Sequence, residues 1–566
     1  MLFREIYQKW IDSETLDSEI MLELKSIAGD AAAIGERFYS DLQFGTGGLR
    51  GIIGAGTNRM NVYTVARATQ GLSGYVKEAF KTPRVAIAYD SRKNSYVFAK
   101  AAAEVLAKNG ILVYIFDEIT PTPVLSFAVR HLQVSAGIVI TASHNPAEYN
   151  GYKVYDQDGC QITPEAADKI TGHMARADAP DGFSLGNYKR YEKEGLIRRV
   201  SEDVANAYYG EVLRRGAQGK KGTDLRVVYT PLNGTGNKPV RYILEQIGIT
   251  DVLLVPEQEA PDHSFSTCPY PNPEEEEALS LAIRLAEKNE ADIVLATDPD
   301  CDRVGAAVRH EGTYTLINGN QMGVMLFDFI CGIRLKAGDM PKLPVAIKTI
   351  VTTEMARGVA DVYGVALWDV LTGFKYIGEQ IGILEKKGEA DRFVFGFEES
   401  YGYLAGSYIR DKDAVEASML ICQMAAYYKE RGMTLMDVLD SLYKRHGYYY
   451  ETLESYAFEG MNGMDKMAGI MAALRADPPR TLGELAVERF QDYMDPLRDD
   501  GGVNAVRLPR ADVVSIVLHG GSKVTVRPSG TEPKLKAYYS LKCGNMDESE
   551  AVYRRISDAM KALMQV

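Results

Sequence analysis

The chain has 566 residues, of which 46% are hydrophobic and 25% are charged, a composition typical of a globular protein with several domains. The net charge of −13 argues against binding to nucleic acid or to an anionic membrane surface through general electrostatics. The six cysteines are widely spaced, which predicts reduced thiols in a cytoplasmic protein rather than a disulfide framework or a zinc site. No apolar run approaches the roughly 20 residues of a membrane-spanning helix, and the charged first segment predicts no secretory signal.

Residues 1–40 are predicted to be helical, because apolar residues recur there at helical spacing. Three copies of a β-α-β-α-β pattern follow, and a polar loop comes after the last strand of each copy. The closing strands with their loops lie at residues 135–146, 291–303 and 391–402. The short apolar strands favour sheets with helices on both faces. Ligands of such sheets bind beyond the carboxyl ends of the strands, so the three loops are candidates for one common cleft.

The C-terminal part follows another pattern. Residues 450–500 are predicted to be mostly helical, residues 512–541 to form strands around a polar loop, and residues 547–564 to form a final helix. The predicted fold class is α/β, with three related βαβαβ mixed-sheet domains and a smaller C-terminal α+β domain around a central cleft. The predicted domain bounds are 1–205, 206–322, 323–450 and 451–566.

The first polar loop contains Ser143, His144 and, ten residues after the serine, Lys153. Adjacent side chains of an extended segment point to opposite sides, so His144 is not expected to reach Ser143 as its base. The G-x-S-x-G elbow of many hydrolases is missing. From the loop alone, Ser143 is equally well a nucleophile or the cap of a turn, and Lys153 is most simply a surface lysine.

The second polar loop alternates Asp298, Asp300 and Asp302. The alternation places three carboxylates on one side of a tight loop, where they repel each other unless a cation lies among them. Hard oxygen ligands suit Mg²⁺ or Ca²⁺, and the spacing differs from that of an EF-hand. A metal site is therefore favoured over a solvated acidic turn. Arg303 follows directly and offers a guanidinium fork to a phosphate.

The last polar loop, residues 527–534, combines an arginine with hydroxyl groups and a glycine. Such a loop can surround a phosphate with side-chain and backbone donors, although a plain β-turn has the same composition. The residues that would bind the phosphate are Arg527, Ser529, Gly530 and Thr531.

Two further segments suggest contacts to a phosphorylated, hydroxyl-rich ligand. The glycine-rich residues 44–51 match neither a dinucleotide nor a Walker motif, but Arg50 within them is a candidate phosphate contact. Glu398 and Ser400 lie at the end of a predicted strand and could accept hydrogen bonds from a sugar. Acidic residues at a helix N-terminus explain the second segment equally well.

These five loops, in this order over nearly the whole chain, resemble the motifs of the α-D-phosphohexomutases, the phosphoglucomutase/phosphomannomutase superfamily. The motifs and the length are most similar to its bacterial α-phosphoglucomutase branch, whose relatives include phosphopentomutases and glucose-1,6-bisphosphate synthases. The family fold has four domains around a central cleft. The resemblance therefore implies the same four domains as the three repeats together with the C-terminal part.

The resemblance implies three sets of site residues. The first set would bind one Mg²⁺ per subunit and consists of Ser143 as phosphoserine, Asp298, Asp300 and Asp302. The second set would lie beside the transferred phosphoryl group and consists of Lys153, Arg50, Arg303 and His144. The third set would bind the substrate. Its contacts to the sugar would be Glu398, Ser400 and Lys375. Its contacts to the phosphate that does not react would be Arg527, Ser529, Gly530 and Thr531.

Three positions depart from the family pattern. Pro299 and Cys301 stand in the metal loop where many members have glycine, but they alternate with the ligands, so metal binding is expected to survive. Ala414 stands where a glycine is expected, which makes the shape of that loop uncertain from sequence.

The implied activity is that of a phosphoglucomutase, which interconverts glucose 1-phosphate and glucose 6-phosphate through a phosphoserine and glucose 1,6-bisphosphate, the latter also acting as activator. The alternatives are a phosphomannomutase, a phosphopentomutase, a metal-dependent sugar phosphatase and a catalytically silent sugar-phosphate-binding protein. The expected partners are small sugar phosphates, without nucleic acid or membrane. The protein is expected to be a monomer or a dimer.

Overall fold

The structure, a computed structural model, describes residues 2–45, 47–183, 185–216, 224–458, 463–495, 506–529 and 534–564. Three helices open the chain, as predicted: α1 (Leu2–Ile11), α2 (Ser18–Ser26) and α3 (Ala31–Phe38). Trp10 is fully buried and meets Phe38 and Tyr63 edge-on, with ring centroids 5.7 and 5.8 Å apart. The aromatic contacts hold the helices together and attach them to the first sheet domain.

The first sheet has six strands in the order β1-β5-β4-β2-β3-β6. Strand β2 pairs in parallel with β3 and β4, whereas β5 runs antiparallel to β4 and β1. The elements are β1 (Gly48–Ile52), α4 (Val62–Ala79), β2 (Arg84–Tyr89), α5 (Ser95–Lys108), β3 (Leu112–Ile115), α6 (Thr122–His131), β4 (Ala136–Ile140), β5 (Tyr149–Tyr155), α7 (Pro164–Met174), α8 (Tyr188–Lys193), β6 (Ile197–Arg199) and α9 (Glu202–Arg215).

The second sheet has the order β11-β10-β9-β7-β8, with β10 antiparallel to β9. Its elements are β7 (Val227–Thr230), α10 (Asn237–Gln246), β8 (Val252–Leu254), α11 (Pro256–Glu259), α12 (Glu276–Asn289), β9 (Ile293–Thr297), β10 (Val304–His310) and β11 (Thr313–Ile317).

The third sheet has the order β13-β12-β14-β15, with β15 antiparallel to β14. Its elements are α13 (Gly319–Ala337), β12 (Val345–Thr349), α14 (Met355–Tyr363), β13 (Ala366–Val370), α15 (Phe374–Lys386), a 3₁₀ turn (Ala390–Arg392), β14 (Phe393–Glu398), β15 (Gly402–Leu404), α16 (Ala414–Lys429) and α17 (Leu435–His446).

The three sheets repeat one topology, which confirms the three related mixed-sheet domains. In each, the first strand of the copy lies between the second and the third, and an antiparallel strand follows the third. The polar loop predicted for each of the three copies joins that third strand to its antiparallel neighbour. These three loops therefore lie at the carboxyl end of a buried strand, where sheets of this kind bind ligands.

The C-terminal sheet is antiparallel, with the order β16-β21-β20-β19-β18-β17. The prediction that residues 450–500 are mostly helical is wrong, because only α18 is helical there among the described residues. Strand β16 alternates between half-buried and exposed side chains over its second half, a period of two that polar residues disguise. The elements are β16 (Tyr448–Ala457), α18 (Gly463–Ala476), β17 (Thr481–Leu482), β18 (Leu485–Asp492), β19 (Val514–Leu518), β20 (Lys523–Pro528), β21 (Lys534–Cys543) and α19 (Met546–Met564).

The described residues form two compact units. The first holds the residues up to Leu316 with Ile381–Ile383 and Gly406–Ala426, and the second holds the remainder. Across the described part of the chain, every helix is too short or too polar to cross a membrane.

Candidate active site

Ser143 lies in the loop between β4 and β5 and is almost completely buried. Its hydroxyl group donates a hydrogen bond to Asp298 Oδ2 at 2.6 Å, and its backbone N–H donates to Thr141 Oγ1 at 2.8 Å. The serine thus comes into direct contact with the second polar loop, which is 155 residues further along the chain.

The expectation that His144 cannot reach Ser143 is wrong. His144 Nδ1 lies 3.1 Å from Ser143 Oγ. The extended geometry assumed for this segment does not hold, because Ser143 has a φ of 53° and turns the chain. Burial, and then the charges of Arg303 and Arg50, lower the pKa of His144 well below its usual value. Both effects favour the neutral form of the imidazole ring.

Arg92 fixes the shape of the serine loop. It is buried, and its guanidinium donates hydrogen bonds to the carbonyls of Ser143 at 2.6 Å, Pro146 at 2.8 Å and Tyr149 at 3.1 Å. Asp90 Oδ2 lies 3.4 Å from its Nε. Sequence reasoning missed this residue, since nothing nearby in the chain distinguishes an arginine that binds loop carbonyls from a surface arginine.

The carboxylates of Asp298, Asp300 and Asp302 form the predicted cluster, with one oxygen of each within 4.8 Å of the others. All three residues are buried, and Asp300 Oδ1 and Asp302 Oδ1 make no hydrogen bond to any described residue. Burial, and then the charges of Asp300 and Asp302, raise the pKa of Asp298 well above its usual value. Orphaned, crowded carboxylate oxygens are a donor set that fits a hard divalent cation.

Two lysines contact this triad. Lys153 Nζ on β5 lies 2.7 Å from Asp300 Oδ2 and 3.4 Å from Asp302 Oδ2. Lys412 Nζ lies 2.8 Å from Asp302 Oδ2. Lys153 was predicted, whereas Lys412 was missed; the only signal was that its segment matches a family motif. Ala414, the departure in that motif, begins helix α16, and a helical residue needs no glycine.

Two arginines lie at the same loops. Arg50 on β1 donates from Nη1 to Asn145 Oδ1 at 3.1 Å. The backbone N–H of Arg303 donates to Asp298 Oδ1 at 3.0 Å, and its side chain forms an ion pair with Glu274. The structure thus brings together all the residues predicted beside the transferred group.

The loop that carries the three carboxylates contacts neighbouring loops. The N–H of Thr235 donates to Pro299 O at 2.9 Å, and a Cβ at Gly234 would lie 2.4 Å from Pro299 Cα. The Thr122 hydroxyl donates to Asp300 Oδ2 at 2.8 Å. The lack of a side chain at Gly234 therefore permits the close approach of its backbone to Pro299, between Asp298 and Asp300.

The predicted sugar contacts lie in the second unit. Glu398 is buried and accepts a hydrogen bond from the N–H of Gly373 at 3.0 Å. Lys375 is half-buried, two residues after Gly373, with Nζ 5.1 Å from the centre of the Tyr376 ring. Ser400 is half-buried beyond the end of β14. Lys375 is thus in the first turn of α15, and Gly373 just before that helix contacts the end of β14 that carries Glu398.

Arg527 lies near the end of β20 and donates from Nη2 to the Tyr538 hydroxyl at 3.3 Å. The N–H of Ser529 donates to Lys534 O at 2.7 Å. Gly530 and Thr531, the other two predicted phosphate contacts, lie outside the described residues.

Known protein families match this chain in three successive segments. Family models described as phosphoglucomutase/phosphomannomutase α/β/α domains I, II and III match residues 41–181, 207–312 and 318–446, together more than half of the chain. Domains of this kind define a mutase, an isomerase-class phosphotransferase.

Relatives match along nearly the whole length. A phosphoglucomutase of Staphylococcus aureus (strain MRSA252) is 37% identical over 517 residues, covering 91% of this chain and 92% of the relative. A phosphoglucomutase of Staphylococcus epidermidis is 37% identical over 533 residues, covering 93% and 94%. The structure of a phosphoglucomutase/phosphomannomutase family protein from Burkholderia thailandensis is similar with a TM-score of 0.68 at 18% identity, covering 93% and 98%. The chain belongs to the phosphoglucomutase/phosphomannomutase family.

Proposed function

We propose that this chain is a phosphoglucomutase that interconverts glucose 1-phosphate and glucose 6-phosphate, with Ser143 as the phosphorylated residue. The observation that carries the proposal is the buried hydrogen bond of 2.6 Å between the Ser143 hydroxyl and the carboxylate triad. A serine held among three carboxylates, two lysines and two arginines is suited to carry a dianionic phosphoryl group together with a cation.

One Mg²⁺ is proposed to be held by Asp298, Asp300, Asp302 and an oxygen of phosphorylated Ser143. When bound, it would supply charge neutralisation for the phosphoryl group. The two orphaned carboxylate oxygens support this assignment. Phosphopentomutase or phosphatase chemistry would use the same metal ligands, so the metal alone does not select the substrate.

Transfer is proposed to proceed in two steps. The phosphoryl group passes from Ser143 to the 6-hydroxyl of glucose 1-phosphate, which gives glucose 1,6-bisphosphate; the 1-phosphoryl group then returns to Ser143 and glucose 6-phosphate leaves. Lys153, helped by His144, assists removal of the hydroxyl proton. Arg50 and Arg303 stabilise the equatorial oxygens, because phosphoryl transfer depends mainly on position and charge. Added glucose 1,6-bisphosphate would activate the enzyme by phosphorylating Ser143.

Glu398, Ser400 and Lys375 are proposed to bind the sugar hydroxyl groups. Since the sugar must bind in two orientations, contacts should fall on the 3- and 4-hydroxyls, which nearly coincide after a half-turn. Arg527 and its loop are proposed to bind the phosphate that does not react.

The sugar assignment is tested by mutase rates on glucose 1-phosphate, mannose 1-phosphate and ribose 1-phosphate, with and without bisphosphate. Glucose 1-phosphate should react fastest. Mannose 1-phosphate differs from glucose 1-phosphate only at the 2-hydroxyl, so its transition state should be bound about 0.5–1.5 kcal/mol less tightly. The smaller ribose 1-phosphate should be disfavoured more. Glu398→Gln should lower all three rates. The highest kcat/KM on ribose 1-phosphate would indicate a phosphopentomutase, and release of inorganic phosphate would indicate a phosphatase.

Arg527→Ala is expected to raise KM for glucose 1-phosphate and to weaken bisphosphate activation, each by about tenfold or more, because a charge-assisted hydrogen bond is lost. Phosphorylation of Ser143, measured by intact mass, should persist. Arg510→Ala is the matched control, since Arg510 is exposed before β19. Unchanged KM and activation in the Arg527 variant would mean that the loop binds something else.

A further inference from the structure

Four successive glutamates, residues 274–277, precede and begin helix α12, and the first of them differs from the others. Glu274 is half-buried and forms an ion pair with Arg303, whereas Glu275, Glu276 and Glu277 are exposed. We propose that Glu274 is a positioning residue for phosphoryl transfer, which holds the Arg303 guanidinium beside the serine and the carboxylate triad. The inference rests on the proposed function, in which Arg303 contacts the transferred group.

The segment that carries Glu274 is attached to the serine site at several points. The Phe265 ring lies 4.9 Å from the guanidinium carbon of Arg92, and the Tyr270 ring meets His144 edge-on at 6.2 Å. At Gly305, a Cβ would lie 2.3 Å from Pro273 O, so the segment packs directly on β10. These contacts fix the backbone on which Glu274 stands.

The charges around Arg303 explain why a carboxylate is needed there. Arg303 and Arg50 are close enough to repel each other, and Arg303 Nε lies 3.9 Å from Asp302 Oδ1. A cation bound by the triad would partly neutralise the negative charge of Asp302, and the attraction between Asp302 and Arg303 would then be weaker. Glu274 is outside the triad, so it would continue to hold the guanidinium.

The partial burial of the pair makes it more effective than a surface ion pair. The side chains of Arg303 and Glu274 are 19% and 30% exposed. Water screens such a pair less than an exposed one, and the guanidinium loses freedom before the phosphoryl group arrives. Glu274 therefore acts on the transition state through Arg303 and is not proposed to touch the substrate.

Glu274→Gln is expected to lower kcat about tenfold, because a misplaced contact to the transferred group is costly. KM for glucose 1-phosphate should stay within about twofold, since the distal phosphate and the sugar bind elsewhere in the proposed scheme. Glu276→Gln removes the same charge from the same acidic run and should behave as wild type. Glu274→Asp keeps the carboxylate and should recover part of the lost kcat.

A double-mutant cycle separates positioning from a general effect on folding. In an Arg303→Ala background, Glu274→Gln should cause no further loss, because its effect passes through Arg303. Three outcomes would overturn the inference. The kcat losses of the two single variants could multiply in the double variant, or Glu274→Gln could have a wild-type kcat. The third is an equal loss of kcat in Glu274→Gln and Glu274→Asp together with a lowered Tm in both. A wild-type kcat for Arg303→Ala alone would instead refute the role of Arg303 in the proposed function.

Discussion

Ser143→Ala is expected to lower kcat for the conversion of glucose 1-phosphate at least about a thousandfold. Removal of a covalent nucleophile from an enzyme has an effect of this size. The hydroxyl group is the only part removed, and the buried hydrogen bond to Asp298 at 2.6 Å is lost with it. Intact mass of the wild-type protein should show a fraction that carries one phosphate, and this fraction should be missing in the variant. A coupled assay for glucose 6-phosphate gives the rate.

The matched control is Ser135→Ala. Ser135 is also buried and directly precedes β4, at the end opposite to the serine loop, where its hydroxyl accepts a hydrogen bond from the N–H of Arg84 at 3.2 Å. This variant should keep both the phosphate and the rate. A Ser143→Ala enzyme with a near-normal rate would refute the phosphoserine mechanism, and so would a phosphate that remains on that variant.

Removal of divalent cations is expected to abolish turnover, and addition of Mg²⁺ to restore it. Asp300→Asn should lower kcat by at least about a hundredfold at saturating substrate, because one charge and one hard oxygen ligand are lost. Binding can be measured without turnover: Mg²⁺ should raise the Tm of the wild-type protein and raise that of the variant much less.

Asp292→Asn is the control for the metal. It makes the same change in charge just before β9, at the end of the strand opposite to the triad, where Asp292 accepts a hydrogen bond from the N–H of Arg226 at 2.8 Å. Its rate and its response to Mg²⁺ should match the wild type. Full activity in excess chelator would contradict the metal assignment, even if the effect of Asp300→Asn were as large as expected.

A large part of the first unit and of the third sheet domain could be predicted, because the relevant information is local. Buried strands are short apolar runs, helices repeat their apolar residues at helical spacing, and polar loops interrupt both. The prediction failed in β16 and β18, where polar residues occupy a half-exposed sheet. There the second face is not buried, so hydrophobicity alone does not mark the strand. The domain bounds, the compartment and the oligomeric state stay predictions.

The sequence by itself determined the repeat, the order of the polar loops and the residue types that suit a cation and a phosphate, since all of these depend on neighbours in the chain. Only the tertiary structure decided which side chains meet. The turn at Ser143 that brings His144 to its hydroxyl is held by Arg92, about fifty residues earlier in the chain. Likewise, Lys412 reaches Asp302 from 110 residues away, and Glu274, the first of four adjacent glutamates, pairs with Arg303. Contacts over such separations depend on how the sheets and their loops pack, which no local pattern encodes.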